Sequence, residues 1–173
     1  MSDDLLAGID CGATKVMVQS GAYSSKTNKI SPGPINQEFY YSDNPDWDSK
    51  FMPVPLDTQK SEYQSDNISL SYEEINQGNV IIDTIVSSIK IIEDHKIGLC
   101  YPGLKSHKGI VVMANGPRIP NLTHHIHPVK NILNDSDCCV IGELKSTIGM
   151  MQDTRNGIYI GGGTGCLLYT SDA

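Results

Sequence analysis

The sequence has no excess of positive charge and no long apolar run, and these absences exclude several classes of partner. Its 173 residues include 13 Lys and Arg against 20 Asp and Glu, which gives a formal net charge of −7. Nucleic acids and anionic membranes select basic surfaces, so neither is expected as a partner. A small anion held by main-chain N–H groups is still compatible with this charge. No apolar run approaches the roughly 20 residues of a membrane-spanning helix.

The sequence also lacks a secretion leader and cysteines at C-x-x-C spacing. Its first residues, MSDDLLAG, contain no basic segment followed by an apolar one, so no signal peptide is expected. The adjacent Cys138 and Cys139 suit neither a disulfide framework nor a metal site. We therefore expect free thiols in a reducing, cytoplasmic compartment. The set comprises Cys11, Cys100, Cys138, Cys139 and Cys166.

What the chain does contain is the composition of a globular domain, with 39% hydrophobic and 19% charged residues. Leu5–Asp10 and KVMVQSGA (15–22) predict two strands joined by a tight turn near Gly12. NQEFYYS (36–42) predicts a third strand. The stretch 43–67 is rich in Asp, Ser, Pro and Gln without a clear period. It forms the middle of a long surface excursion expected over about residues 20–79.

Two helices are predicted. Ser71 and Glu74 form a capping box, in which each side chain satisfies a main-chain N–H group at the start of the first helix. Apolar residues then follow at helical spacing on one face: Ile82, Ile85, Val86, Ile89 and Ile92. The second helix is predicted over 136–151, with Val140, Ile141, Leu144, Ile148 and Met151 on one side.

Four further strands are predicted, at KIGLCYPG (96–103), GIVVMAN (109–115), NILND (131–135) and GIYIGG (157–162). The order of elements is three strands, a helix, three strands, a helix and a last strand. This order is typical of an α/β domain with a mixed sheet.

The segment GIDCGATK (8–15) is the first of three motifs that could carry chemistry. A strand delivers Asp10 to a turn that contains Gly12, Thr14 and Lys15. Main-chain N–H groups and the hydroxyl could bind phosphate oxygens, and the carboxylate could hold Mg²⁺ through water. An ordinary hairpin with a polar turn is the alternative.

The other two motifs are Asn134-Asp135 and GGGTG (161–165). Asp135 stands where a strand gives way to a helix, so it either caps the helix or acts as a general base. In the second case Asn134 would fix a neighbouring hydroxyl. The N–H groups of GGGTG could face a phosphate, and a bare hairpin turn is the alternative.

Taken together, the motifs resemble those of a known group of proteins. GIDCGATK resembles the first phosphate motif of the actin, sugar-kinase and Hsp70 superfamily, and GGGTG resembles its second. The segments 97–122, 134–143 and 157–165 narrow the resemblance to the ROK family of sugar kinases and sugar-responsive repressors. The resemblance covers Leu5–Val18 and roughly Ile82–Gly165.

The resemblance implies an α/β fold with a ribonuclease H-like mixed sheet and flanking helices. The N-terminal lobe would occupy residues 1–150, and a second lobe would only begin at 151–165. The implied activity is ATP-dependent phosphorylation of a hexose or N-acyl-hexosamine hydroxyl, with ATP and Mg²⁺ as cofactors. A homodimer of the full-length protein is compatible with it.

The resemblance also assigns roles around the sugar. Asp135 matches the catalytic base, and Asn134 matches a sugar-binding residue beside it. Asn121 and Gly103 fall in segments that line the sugar cleft, and Asn115 is a rival to Asn121.

On the nucleotide side, the resemblance assigns two groups of residues. One lies near Mg²⁺ and the phosphates, and the other forms the second phosphate turn. They are Asp10, Gly12, Thr14 and Lys15, and then Gly163, Thr164 and Gly165. Ala13 departs from the pattern, because many members carry glycine there and alanine has more constrained main-chain angles.

Other functions compete with a kinase. A sugar-sensing transcriptional repressor of the same family is disfavoured, because only nine residues precede Asp10 and the charge is acidic. An inactive sugar-binding relative is disfavoured by Asp135. His124, His125 and His127 are interpreted as a solvated loop. Arg118 is expected to be a solvated loop arginine.

The last residues, CLLYTSDA (166–173), match the translation of a widely used transposase sequencing adapter. They are therefore interpreted as adapter-derived and excluded from fold prediction. The chain is then expected to be a C-terminally truncated fragment that lacks half of its nucleotide site. Such a fragment would be inactive by itself and would leave apolar surface bare.

Overall fold

The computed structural model describes residues 4–154, 157–162 and 166–171. Nine strands lie in this part of the chain: β1 (Asp4–Cys11), β2 (Lys15–Ser24), β3 (Lys29–Tyr40), β4 (Lys96–Tyr101), β5 (Leu104–Lys105), β6 (Ile110–Val112), β7 (Ile132–Asn134), β8 (Gly157–Gly162) and β9 (Cys166–Ser171). The α-helices are α1 (Leu56–Gln64), α2 (Tyr72–Ile89) and α3 (Asp135–Lys145), with short 3-10 turns at Tyr41–Asp43, Lys90–Ile92 and Leu122–His124.

Five strands form a mixed sheet in the order β3-β2-β1-β4-β7. The β1–β2 and β2–β3 pairs are antiparallel, whereas β1–β4 and β4–β7 are parallel. The predicted hairpin is therefore confirmed, and so is the predicted class of a mixed sheet with flanking helices. Strand β6 pairs with β5 in a small separate sheet, and β8 pairs with β9 in another.

The hydrophobic core lies between one face of this sheet and α2. Ile9 is opposite both Val18 and Leu99 in the strand register, so the three side chains share one face and are almost fully buried. Ile85 and Ile89 of α2 are buried in the same cluster. Each such side chain contributes about 1.5–3 kcal/mol when removed from water. The apolar stripe predicted for this helix is confirmed.

The N-terminus of α2 confirms only half of the predicted capping box. The Ser71 hydroxyl accepts a hydrogen bond from the Glu74 N–H at 3.1 Å. The prediction of a reciprocal bond, donated by the Ser71 N–H to the Glu74 carboxylate, is wrong. Glu74 is only 1% exposed, and its carboxylate binds Arg118 instead. A buried carboxylate is stable only beside a compensating charge, which Arg118 supplies.

The expected surface excursion over about residues 20–79 requires correction. This range contributes β3, which is longer than the predicted third strand, and it also contains α1. Tyr41 and Gln59 within the same range are fully buried. Sequence reasoning missed α1 because LDTQKSEYQ carries no apolar stripe, the main signal for a helix that packs on a core.

Helix α3 is shorter than predicted. It ends at Lys145, because Ser146 has extended main-chain angles and the Thr147 N–H donates to the Ile30 carbonyl at 2.8 Å. The predicted apolar side is not buried in this chain, since Ile141 is 54% exposed and Ile148 is 75% exposed. These exposed side chains agree with the expectation that some apolar surface is left bare.

Cys166–Ser171 pairs along its whole length with β8. A run of β-branched, aromatic and aliphatic residues forms a strand whatever its origin. The adapter interpretation of residues 166–173 therefore stays a prediction. Among the residues that are described, no helix is long and apolar enough to cross a membrane. The four cysteines with described side chains are all free thiols.

Candidate functional site

Three parallel strands end at one edge of the sheet, and each ends in a predicted motif. Asp10 lies at the end of β1, Gly103 follows β4, and Asp135 follows β7. In the strand register Asp10 is opposite Cys100, and Cys100 is opposite Leu133. The carboxyl edge of parallel strands is where open α/β sheets bind ligands.

A cavity of about 300 Å³ lies at this edge. It is lined by Asp10, Gly12, Gly103 and Asp135, together with Ala13, Asn115 and other residues. Four of the residues selected from the sequence therefore meet in one place. The volume lies at the lower end of the range for small-molecule sites. Two carboxylates give the cavity a negative charge, which favours a cation or hydroxyl donors as ligands.

Gly103 shapes this cavity through its main chain. Its φ angle is +87°, in the left-handed region that strongly favours glycine. A Cβ atom at this position would lie 2.5 Å from the Val112 carbonyl oxygen. Glycine is therefore required if the turn after β4 is to pack against β6.

Tyr41, which is fully buried in the core, supports the turn after β1. The Tyr41 hydroxyl donates to the Gly12 carbonyl at 3.1 Å, and its N–H donates to the Thr14 carbonyl at 3.1 Å. Because the C=O and N–H of a trans peptide point in opposite directions, the Ala13 N–H is directed away from Tyr41. Ala13 has no positive φ angle, so alanine fits this turn.

Lys15 and Thr14 do not line the cavity. The Lys15 ammonium lies 2.5 Å from a Glu38 carboxylate oxygen, and it sits over the Tyr40 ring at 5.6 Å from the centroid. The hydrogen bond with Glu38 raises the pKa of Lys15. In this structure the Lys15 cation is therefore turned toward β3. Thr14 is exposed at the tip of the turn.

Lys105 is a functional candidate that sequence reasoning missed. Its ammonium donates to the Gly103 carbonyl at 2.8 Å and to the Asn134 side-chain oxygen at 3.2 Å. Burial lowers the pKa of Lys105, and the charge of Asp135 opposes that change. Lys105 thus connects two residues of the predicted sugar side beside the predicted base. A lysine two residues after Pro-Gly was the available sequence signal.

Asp135 is the first residue of α3 and not its cap residue, which is Asn134. One carboxylate oxygen accepts from the Ser136 N–H at 2.9 Å and lies 3.3 Å from the Ser136 hydroxyl. A carboxylate in the first helical turn is stabilised by the helix dipole. The same side chain also lines the cavity, where it could accept a proton.

The two candidate asparagines are separated by the structure. Asn115 lines the cavity. Asn121 does not line it, and its side-chain nitrogen lies 3.2 Å from His125 Nε2 on the surface. The rival position is therefore the one that the fold brings to the site. The three predicted residues of the second phosphate turn, Gly163, Thr164 and Gly165, lie outside the described residues.

Two further expectations have different outcomes. The expectation that Arg118 is solvated is wrong, because its side chain is fully buried between Glu74, Glu62 and the Ser69 carbonyl.

The histidines behave as expected for a solvated loop. His124, His125 and His127 are all exposed.

Cys100 contacts Asp10, and sequence reasoning missed this contact. The Cys100 thiol lies 3.3 Å from a carboxylate oxygen of Asp10 and donates to it. Burial and the charge of Asp10 raise the pKa of this thiol, so it stays protonated and acts as a donor at neutral pH. The Asp10 carboxylate is thereby oriented from the β4 side.

A larger cavity of about 570 Å³ lies next to α3, on the face of the sheet opposite the core and α2. Its lining is mainly apolar and glycine-rich, and it includes Gly8, Gly98 and Gly142. It contains none of the residues selected from the sequence as chemical groups. The smaller cavity at the strand ends is therefore the candidate site.

Comparison with known proteins places the fold. No protein-family model and no curated protein matches the chain. The chain is similar to a ROK family glucokinase from Streptomyces griseus, solved with glucose and AMPPNP, with 17% identity and a TM-score of 0.57. The match covers 97% of this chain and 44% of that one. A ROK hexokinase from Thermus thermophilus matches with 15% identity and a TM-score of 0.49, covering 97% and 47%.

The first of these likenesses shows that the fold is shared with a sugar kinase. The chain spans less than half the length of both matched structures. The predicted fold class is thus confirmed. The sequence identity of 17% is too low to transfer the role of any single residue.

Proposed function

We propose that this chain belongs to an ATP-dependent kinase that phosphorylates a hydroxyl of a hexose or N-acyl-hexosamine. The observation that carries the proposal is the meeting of Asp10, Gly103 and Asp135 in one cavity at the carboxyl edge of three parallel strands. The shared fold supports it, because the glucokinase of that fold was solved with glucose and an ATP analogue.

Asp135 is proposed as the base that accepts the proton of the attacking sugar hydroxyl. Its position at the cavity and at the start of α3 supports this role. Asn134, held by Lys105, would bind a neighbouring hydroxyl, and Asn115 would bind another. Fixing several hydroxyls orients the reacting one, and orientation supplies much of the rate in transfers of this kind.

On the phosphate side, the turn that contains Gly12, Thr14 and Lys15 is proposed to hold phosphate oxygens, and Gly163, Thr164 and Gly165 are proposed to do so from the second turn. The Asp10 carboxylate fits Mg²⁺ chemically, since carboxylate oxygens are its preferred protein ligands. When bound, Mg²⁺ would neutralise charge on the phosphates. Asp10 would hold it through water.

We further propose that residues 1–150 form one lobe and that 151–165 begin another. The nucleotide would be held between the two lobes.

The proposal is tested by ADP release from the complete gene product over a panel of hexoses and N-acyl-hexosamines. Asp135→Asn should reduce kcat by roughly 10²–10⁴-fold, because the base is lost while the shape is kept. Asp137→Asn is the matched control, since Asp137 is exposed in the same helical turn. Full activity of Asp135→Asn, or no sugar-dependent ADP release, would contradict the proposal.

A further inference from the structure

Gln59 of α1 makes an unusual set of contacts for a residue of a polar helix. Its side chain is fully buried. Its amide nitrogen donates to the Met113 carbonyl at 2.9 Å and to the Val54 carbonyl at 2.6 Å. Its amide oxygen accepts from the Met113 N–H at 2.7 Å. One side chain therefore satisfies both main-chain groups of Met113, as a neighbouring strand would.

Met113 begins the loop that reaches the candidate site. Met113, Ala114 and Asn115 all line the cavity. Ala114 and Asn115 are exposed, whereas Met113 and the stretch 117–119 are buried. The loop is thus a short exposed tip between two buried anchors.

The far end of this loop is anchored by charge. The Arg118 N–H donates to the Glu74 carboxylate at 2.9 Å, and the guanidinium donates to the same carboxylate at 2.8 Å from two nitrogens. Both anchors come from outside the loop, Gln59 from α1 and Glu74 from α2. The tip that carries Asn115 has little conformational freedom left between them.

We propose that Gln59 is a positioning residue of the sugar site: by holding both main-chain groups of Met113, it fixes the loop that brings Asn115 into the cavity. The role rests on the proposed function. This proposal gives α1 a function, and none of the sequence motifs lies in that helix. A loop that is ordered before binding does not lose that conformational entropy when the ligand arrives, so affinity is higher.

The first variant is Gln59→Met, which keeps the length of the side chain and removes all three hydrogen bonds. Gln64→Met is the matched control, because Gln64 is an exposed residue at the end of the same helix. Two quantities are measured on the 173-residue chain: amide hydrogen exchange of residues 113–116, and the Kd for glucose and for N-acetylglucosamine by NMR titration.

Gln59→Met should speed exchange at 113–116 and raise the sugar Kd by a factor of about 5–30, while the β1 and β4 amides stay protected. Gln64→Met should change neither. Faster exchange with an unchanged Kd would overturn the role and leave the proposed function intact. Absence of sugar binding to the unmutated chain, and no sugar kinase activity in the complete gene product, would overturn both.

A second variant, Gln59→Glu, keeps the test decisive if Gln59→Met does not fold. A protonated carboxyl group has one donor and one acceptor, as the Gln59 contacts to Met113 require, whereas the ionised form faces the Met113 carbonyl with a negative charge. Loop protection and sugar affinity of this variant should therefore fall together as pH rises, relative to the unmutated chain at each pH. A variant that follows the unmutated chain at every pH would overturn the role.

Discussion

The carboxylate of Glu74 accepts three hydrogen bonds from Arg118, one from the main-chain N–H at 2.9 Å and two from the guanidinium at 2.8 Å. Both side chains are buried, with 0% and 1% exposure for Arg118 and Glu74. The pair joins the start of α2 to the loop that ends at Arg118. It is an ion pair of the interior, where removing one partner leaves an uncompensated charge.

Removal of either partner should therefore destabilise the chain strongly. Arg118→Met or Glu74→Gln should lower the free energy of unfolding by about 3–5 kcal/mol, measured by urea denaturation. The control is the exposed Lys15–Glu38 pair, for which Lys15→Met should have a much smaller effect because solvent screens it. Equal losses at the two pairs would contradict the burial of Arg118.

Glu62 should give the stability a specific pH dependence. Its hydrogen bond with Arg118 lowers the pKa of Glu62 in the folded chain. A lowered folded pKa stabilises the fold above the ordinary glutamate pKa of about 4.3, and this contribution is lost as pH falls through the folded value.

The urea midpoint should therefore fall less steeply with acidification in Glu62→Gln than in the unmutated chain. Glu93→Gln, at an exposed carboxylate, is the control and should keep the original slope. Parallel slopes for all three proteins would exclude a stabilising Glu62–Arg118 contact.

Substitution by alanine should change the stability of the fold in opposite directions at two glycines. Gly103→Ala should destabilise by about 1–3 kcal/mol, because its φ angle is +87° and the new Cβ would meet the Val112 carbonyl at 2.5 Å. Gly142→Ala should stabilise by about 0.5–1 kcal/mol, since it lies inside α3 with no atom within 4 Å of the new Cβ. Thermal unfolding of both variants measures this, and a stable Gly103→Ala would argue against the left-handed turn.

Lys105 should matter for sugar binding, on the proposed function. Lys105→Met removes the hydrogen bonds to the Gly103 carbonyl and to the Asn134 side chain, so the Kd for glucose should rise by roughly tenfold. Lys108→Met is the control, as Lys108 is exposed in the turn that follows β5. If both substitutions changed the Kd equally, a general charge effect would explain the result.

The thiols should react in an order set by burial. Cys139 is exposed and lines the candidate cavity, whereas Cys11 and Cys100 are buried and burial raises the pKa of both. Iodoacetamide should therefore alkylate Cys139 well before either, as followed by peptide mass spectrometry. Saturating glucose should slow that reaction on the proposed function. Early alkylation of Cys100 would contradict its burial.

Much of the fold was predictable because it follows short-range patterns. Strand β1, the turn at Gly12 and strand β2 follow from local residue preferences and turn chemistry. The buried stripe of α2 follows from helical spacing, and the strand ending in Pro102-Gly103 follows from an apolar run. The meeting of Asp10, Gly103 and Asp135 was expected from a resemblance between motifs, and the parallel pairing of β1, β4 and β7 brings them together.

Side-chain partners were not predictable in the same way. Glu74 satisfies the local capping pattern, yet its carboxylate binds a residue 44 positions away. Gln59 belongs to a polar helix without a stripe, yet it binds Met113 across 54 positions. Lys15 belongs to the phosphate motif, yet the neighbouring strand supplies Glu38 as its partner.

The sequence alone therefore determined the hairpin of β1 and β2, helix α2 with its apolar face and the motifs at the strand ends, because these depend on residues close together in the chain. The tertiary structure decided which charged and amide groups are buried and what they bind, because burial of a polar group requires a partner that only the folded chain brings near. It also decided that Asn115 and Cys139 line the site and that Asn121 does not, and it brought Lys105 to the Gly103 carbonyl beside the site.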